Sequence, residues 1–92
     1  MKILEADSFF KRFKGLMFVK NFDYILKFRS NGIHTFFMKV PIDVYLTDNN
    51  YKILYIFKNI HPWRVIIPKK GIKYTFETPV GACDYKVGDL FR

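Results

Sequence analysis

Two polar residues, His34 and Thr35, interrupt the most apolar stretch of the chain, residues 33–40. An imidazole titrates near neutrality, so His34 is a candidate ligand contact or general base. Burying either side chain without a hydrogen-bond partner would cost free energy. The interpretation we favour is structural: His34 bonds to a carboxylate or backbone carbonyl, and Thr35 bonds to a neighbouring strand.

Asp43 is the best carboxylate partner for His34, because it follows Pro41 and alternates with the apolar residues of segment 42–47. A carboxylate beside an imidazole orients the ring as a catalytic dyad requires. The same pair would also satisfy a buried strand without catalysis, and no Ser or Cys stands in a recognisable nucleophile motif nearby. His34 and His61 share no metal-ligand spacing, so we predict no metal and no cofactor.

Trp63 and Arg64, directly after Pro62, form a second candidate site. An indole beside a guanidinium can form a pocket wall with a cationic rim, which suits an anion or a stacked ring. Alternatively, Trp63 covers the core and Arg64 points to solvent. Cys83 stands beside Asp84 and outside any CxxC motif, so we expect an unreactive thiol there.

The composition predicts one domain over residues 1–92, with half of the residues hydrophobic and a fifth aromatic. The net charge of +8 favours an anionic partner such as nucleic acid or a phosphorylated ligand, although dispersed lysines also serve solubility. One cysteine excludes an internal disulfide framework and suits a reducing compartment, so we expect a cytoplasmic location. No segment has the ~20 apolar residues of a membrane-spanning helix, and the first residues lack a signal-peptide pattern.

The periodicity predicts a mainly β fold. After a first strand near residues 2–6, Asp7 or Ser8 can cap a short helix that ends near Gly15. Strands separated by turns then follow over 24–29, 33–40, 42–47, 51–57, 63–67, 72–77 and 87–91. Between two of them, Asp48-Asn49-Asn50 predicts a hairpin, because Asn and Asp tolerate positive φ. We expect a small closed or partly closed barrel or sandwich of short, mostly antiparallel strands with one short N-terminal helix.

Details of the last third of the chain are also predictable. Alternation in segment 72–77, where Glu77 is the last polar residue, is typical of a half-buried strand. Segment 79–85 is expected to be irregular or a short helical turn. Gly88 and Asp89 are expected to form a turn in which Asp89 accepts local amide hydrogen bonds.

Six short runs occur in an order that resembles the family known as domain of unknown function 192. They are Gly15–Phe18, Gly32–Met38, Pro41–Val44, Pro62-Trp63, Lys73–Glu77 and Lys86–Asp89. The resemblance implies a compact, β-rich domain of bacteria and archaea and brings no catalytic mechanism with it. The segment 79–85 is shorter than the corresponding segment of the family, which leaves no clear place for a helix there.

The sequence is best interpreted as a binding module for a small or anionic ligand or for a partner protein. The predicted contacts are His34, Thr35, Asp43, Trp63 and Arg64. Three alternatives stay open: a nucleic-acid-binding barrel, an enzyme that uses a His34–Asp43 dyad, and an interaction protein without a pocket.

Overall fold

A computed structural model describes residues 2–5, 24–29, 33–34, 41–61, 65–66 and 69–91. These residues form seven strands: β1 (Lys2–Glu5), β2 (Tyr24–Phe28), β3 (Ile33–His34), β4 (Ile42–Thr47), β5 (Ile53–Ile60), β6 (Val65–Ile66) and β7 (Tyr74–Pro79). The prediction of a mainly β fold is confirmed. The predicted N-terminal helix lies outside the described residues.

Five strands form one sheet in the order β1-β2-β7-β4-β5, and β3 pairs with β6 in a separate two-stranded sheet. The pair β1/β2 is parallel, and every other pair is antiparallel, as predicted. Within the described part of the chain, the larger sheet ends at β1 and β5 and is not closed. Strands β7 and β4 therefore lie at its centre.

The central strands separate two apolar clusters, because successive side chains of a strand point to opposite faces. We call one side the aliphatic face, because its buried hydrophobic residues are Leu26, Ile42, Val44, Leu46 and Ile72. We call the other side the aromatic face; it contains Ile25, Tyr45, Ile53, Tyr74, Phe76 and Phe91. All six residues of β4 are buried. The alternation predicted for segment 42–47 therefore separates two sets of side chains, and both sets are buried.

The prediction that segment 72–77 is half-buried was wrong. Both Thr75 and Glu77 are buried, as are Tyr74 and Phe76 on the opposite face. The alternation itself is present, but β7 pairs with β2 on one side and β4 on the other, and both of its faces are covered. Local alternation reports the direction of a side chain and leaves open what covers it.

The turn between β4 and β5 was predicted correctly, but the residue that adopts a positive φ was not. Asp48 donates its amide to the carbonyl of Lys52 (3.0 Å) and accepts from the amide of Tyr51 (3.1 Å). The Asp48 side chain also accepts from the amides of Asn50 (2.8 Å) and Lys52 (3.0 Å). The positive φ of 65° falls on Tyr51 rather than on an asparagine. This geometry is that of a turn followed by one left-handed residue, which twists the hairpin.

The last described residues pack along the edge of β5 at its start. Asp89 accepts from the amide of Lys86 through its side chain (2.8 Å), as predicted, and Gly88 has a φ of 97°. In place of the predicted strand over 87–91, there is a single bridge between Leu90 and Lys52. The Phe91 amide donates to the carbonyl of Tyr51 at 2.8 Å, which anchors Phe91 on the aromatic face.

We expect Asp48→Ala to lower the free energy of unfolding by about 1 kcal/mol, because two backbone amides of the turn lose their acceptor. Urea unfolding followed by circular dichroism measures the change. Asn49→Ala, at an exposed position of the same turn, is the matched control and should change stability little. Equal stability of the two variants would contradict the role assigned to Asp48.

Candidate functional site

Six rings pack edge to edge and face to face across the aromatic face, and we call them the aromatic row. In order along the sheet they are Tyr85, Tyr45, Phe91, Phe76, Tyr51 and Tyr74. Phe76 and Phe91 stack with centroids 4.0 Å apart, and Tyr51 and Tyr74 stack at 4.8 Å. Tilted or edge contacts of 4.8–6.2 Å join the others. Such pairs contribute stability beyond what area burial provides.

One end of the aromatic row is held by the carboxylate of Asp43, which is fully buried. Its Oδ1 accepts from the amide of Asn59 at 2.8 Å. Its Oδ2 accepts from the amide of Gly81 at 2.9 Å and from the Lys58 ammonium at 3.0 Å. A buried carboxylate is stable only when its oxygens are hydrogen-bonded, and these three donors meet that need.

Lys58 connects Asp43 to the aromatic row. Its Nζ donates to the hydroxyl of Tyr45 at 3.1 Å and lies 5.4 Å from the ring centroid. The Tyr45 hydroxyl in turn donates to the carbonyl of Cys83 at 3.2 Å. The hydrogen bond to Tyr45, followed by the contact with Asp43, raises the pKa of Lys58. Lys58 is therefore a cation at physiological pH.

The other end of the row borders a cleft of about 310 Å³ that is lined by Ile3, Lys27, Tyr51, Phe76 and Phe91. The Lys27 ammonium donates to the hydroxyl of Tyr51 at 2.8 Å. It also lies over two rings, 4.8 Å from the centroid of Tyr51 and 4.6 Å from that of Tyr74. The cleft thus has a buried aromatic floor, the partly exposed Ile3 as a wall, and one polar corner.

Tyr51 is held at the rim of this cleft in a conformation that bulky residues rarely adopt. Its φ of 65° is in the left-handed region, where a side chain other than that of Asn, Asp or Gly is disfavoured. Asn49 and Asn50, directly before it, would accept that conformation more easily. The fold retains this strain, of order 1 kcal/mol or more, and so places the Tyr51 ring and hydroxyl at the cleft.

A second buried carboxyl, Glu77, lies on the aliphatic face between its cross-strand neighbours Leu26 and Val44. It is 2% exposed, and within the described part of the chain its Oε1 has no hydrogen-bond partner. Burial disfavours the charged form and raises the pKa of Glu77 to about 8. This carboxyl is therefore mostly protonated at neutral pH.

The structure describes only some of the residues predicted for the site. Thr35, Trp63 and Arg64 lie outside the described residues, and the side chain of His34 is not described; the His34–Asp43 dyad stays a prediction. The described partners of Asp43 are Lys58 and two amides, from β5 and from the segment after β7. His34 lies on β3, which pairs with β6 outside the larger sheet.

No sequence motif pointed to the cleft residues Lys27, Tyr51 and Phe91, which come from three distant segments. The signal that could have identified one of them is Tyr51 itself, an aromatic residue at the end of an Asp-Asn-Asn turn. Burial raises the pKa of the Cys83 thiol, and this direction agrees with the low reactivity predicted for it. Among the described residues, no cluster of three or more metal-ligating side chains occurs.

The fold and the site define a small β domain with an aromatic cleft, and comparison with known proteins gives its family. The family described as "Uncharacterized ACR", domain of unknown function 192, matches residues 1–90. The chain belongs to this family, which confirms the resemblance found in the sequence. A UPF0127 protein of Thermococcus sibiricus is 46% identical over 94 residues, which cover 91% of this chain and 60% of the relative.

A second relative belongs to the same genus. The UPF0127 protein TK1120 of Thermococcus kodakarensis is 41% identical over 99 residues, covering 97% of this chain and 62% of that protein. The chain thus spans about three fifths of the length of these curated relatives. None of their names states a biochemical activity.

Two solved structures share the fold. A Sinorhizobium meliloti protein, described provisionally as a transcription regulator, has a TM-score of 0.65 and 20% identity over 87% of this chain and 67% of its own. A Novosphingobium aromaticivorans protein of unknown function has a TM-score of 0.63 and 18% identity over 86% and 61%. At these identities the likeness concerns the fold alone. In the described residues, no helix has the length and apolar character to cross a bilayer.

We expect Asp43→Asn to lower the free energy of unfolding by about 2–4 kcal/mol, because the new amide group would place a donor against an existing donor. Lys58→Met should cost about 1 kcal/mol or less, since the Lys58 side chain is half-exposed. Urea unfolding of the three proteins gives both differences. A larger loss from Lys58→Met than from Asp43→Asn would contradict the assignment of Asp43 as the centre of the network.

We expect stability to fall by several kcal/mol as the pH rises from about 4.5 to 8. In this window the folded protein keeps a proton on Glu77 that the unfolded chain has released. Glu77→Gln keeps the neutral shape and should flatten this part of the pH profile of unfolding. The exposed carboxylate Asp84 provides the control, because Asp84→Asn should leave the slope unchanged. A slope that persists in Glu77→Gln would show that another group is responsible.

Proposed function

We propose that the protein is a binding module for a small ligand and that the ligand occupies the cleft at the Lys27 end of the aromatic row. The observation that carries this proposal is the strained Tyr51. A non-glycine residue with a φ of 65° places a ring and a hydroxyl on the rim of the cleft. Strain retained at one position is a frequent property of functional sites.

The physical character of the cleft supports the same conclusion. Small-molecule sites are concave, mostly apolar, and carry a few convergent polar groups. Here the volume of about 310 Å³ is at the lower end of the usual range, and Phe76, Phe91 and Ile3 supply apolar walls. Lys27 and Tyr51 supply the polar corner. The cleft therefore suits a compact molecule and is too small for a dinucleotide.

The site residues predicted from the sequence enter this proposal in two ways. Asp43 acts at a distance, because its contacts with Lys58 and Gly81 fix the far end of the aromatic row. We further propose His34, Thr35, Trp63 and Arg64 as ligand contacts, as predicted from the sequence. A cytoplasmic location is proposed as well, on the ground that the sole cysteine of the sequence, Cys83, is a free thiol.

A nucleic-acid-binding surface is the second candidate, and one observation favours it. The ring of Tyr55 is 40% exposed, and the Lys69 ammonium lies 5.3 Å from its centroid and 5.9 Å from that of Phe57. An exposed ring beside a cation can stack a base and contact a phosphate. The net charge of +8 would strengthen such binding at low salt.

Protein-observed NMR distinguishes the two candidates. We expect benzoate, phenol or indole to shift the amide signals of Tyr51, Phe76 and Phe91 in the parent protein. Ile3→Trp should weaken this binding at least about tenfold, because the larger side chain fills the cleft from a position that is 40% exposed. Val87→Trp, at a position 62% exposed outside the cleft, is the matched control.

A single-stranded oligonucleotide at low salt completes the experiment. Shifts confined to Tyr55, Phe57 and Lys69, with no response to the small probes, would replace the proposed function by the second candidate. Probe binding that is equally strong in the parent and in Ile3→Trp would also exclude the cleft as the site.

A further inference from the structure

We propose that the outer edge of β5, over residues 54–58, binds an extended acidic segment of a partner protein, which joins the sheet as a further strand. This surface is separate from the cleft, whose lining comes from other residues. The inference is therefore independent of the proposed function. It follows from the exposure of β5, from the backbone pairing at its start, and from the charge beside it.

Strand β5 is the last strand of the larger sheet, and most of it is not covered. Its first residue, Ile53, is buried, but none of the residues from Leu54 to Ile60 is buried. In its neighbour β4, every residue is buried. Tyr55 is 40% exposed. The half-buried residues of β5 are all large and apolar: Leu54, Ile56, Phe57 and Ile60. An apolar edge strand that is left uncovered is a template for pairing with another chain.

The start of β5 already forms strand-type hydrogen bonds on its outer side. The Ile53 amide donates to the carbonyl of Asp89 at 2.8 Å, and the Ile53 carbonyl accepts from the amide of Gly88 at 2.8 Å. In the part of the chain that the structure describes, no strand continues this pairing beyond Ile53. The outward N–H and C=O groups further along β5 therefore offer an added strand the same kind of hydrogen bond.

Strand β5 has few of the devices that usually prevent such pairing. It contains no proline, and the ammonium of its one lysine, Lys58, is held by the buried carboxylate of Asp43 at 3.0 Å. The two irregularities in the pairing of β5 with β4 lie towards the ends of β5, and the pairing is regular over residues 55–57. This regular stretch is the centre of the proposed site, so the added strand is short.

The charge beside the edge favours an acidic occupant. The Lys69 ammonium lies 5.3 Å from the ring centroid of Tyr55 and 5.9 Å from that of Phe57, and no carboxylate of the described residues pairs with it. A carboxylate of the added strand would pair with this ammonium, while apolar side chains of the strand pack on the two rings.

Two other occupants fit the edge less well. A second copy of the chain would bring together two molecules that each carry a net charge of +8. An oligonucleotide would contact the rings and the ammonium but would leave the outward backbone groups of β5 without partners. A peptide strand satisfies both the backbone groups and the charge.

Three hexapeptides with blocked ends test the inference: one of alternating Glu and Val, one of alternating Lys and Val, and the Glu-Val peptide with every backbone amide N-methylated. NMR titrations of the parent protein give the affinity and the site. We expect the Glu-Val peptide to shift the amide signals of residues 54–58 and to slow hydrogen exchange there. The Lys-Val peptide should bind at least about tenfold more weakly. The N-methylated peptide should not bind, because it has no donors for the edge.

A pair of charge-reversal variants tests the role of Lys69. Lys69→Glu should weaken binding of the Glu-Val peptide at least about tenfold, because the new carboxylate repels the peptide. Lys70→Glu, at the next and exposed position of the same turn, makes the same change in net charge and should bind the peptide almost as the parent does. If Lys69→Glu does not fold, the comparison of the Glu-Val and Lys-Val peptides on the parent protein still tests the charge.

Each part of the inference has an outcome that overturns it. Equal affinities for the Glu-Val and Lys-Val peptides would exclude an acidic partner, and undiminished binding of the N-methylated peptide would exclude strand addition. Shifts of residues 54–58 that depend on protein concentration, without peptide, would identify a second copy as the occupant. A single-stranded oligonucleotide that shifts these residues when no peptide does would replace the inference by a nucleic-acid interface. None of these results depends on the cleft, so the proposed function is tested separately.

Discussion

The carboxylate of Asp43 is the constraint on which the arrangement of the sheet depends. It is fully buried, and two backbone amides and the half-exposed Lys58 ammonium compensate its charge. Two donors, Asn59 and Lys58, belong to β5, and the third, Gly81, follows β7. The pairing of β4 with β5 shifts in register between Ile42 and Val44, on either side of Asp43. One side chain thus fixes the pairing irregularity and the start of the C-terminal segment.

The candidate cleft depends on the same constraint through the aromatic row. The segment that begins at Gly81 carries Cys83, whose carbonyl accepts from Tyr45, and it ends at Phe91, whose amide is held by Tyr51. Phe91 then stacks on Phe76 and lines the cleft. Because each ring packs against the next one, the walls of the cleft are ordered by the contacts of the fold itself.

The sequence predicts the features that are local and misses those that depend on distant neighbours. Alternation over 42–47 identified the two faces of β4 and singled out Asp43, and Asp-Asn-Asn located the hairpin. Alternation over 72–77 was equally clear, yet the prediction that Glu77 is exposed was wrong. The strands that flank β7 come from other parts of the chain, and local alternation does not report them. Lys27 was missed for the same reason, since its cross-strand partner Phe76 is set by long-range pairing.

The two buried carboxyl groups differ in a way that indicates where the sheet can accept charge. On the aromatic face, Asp43 meets an ammonium and two amides, and lysines lie over the rings at both ends of the row. On the aliphatic face, Glu77 has Leu26 and Val44 beside it, and burial raises its pKa to about 8. The sheet thus holds a neutral, protonated carboxyl on one face and a charged, hydrogen-bonded carboxylate on the other. Charge is therefore compensated by hydrogen bonds on the aromatic face and removed by protonation on the aliphatic face.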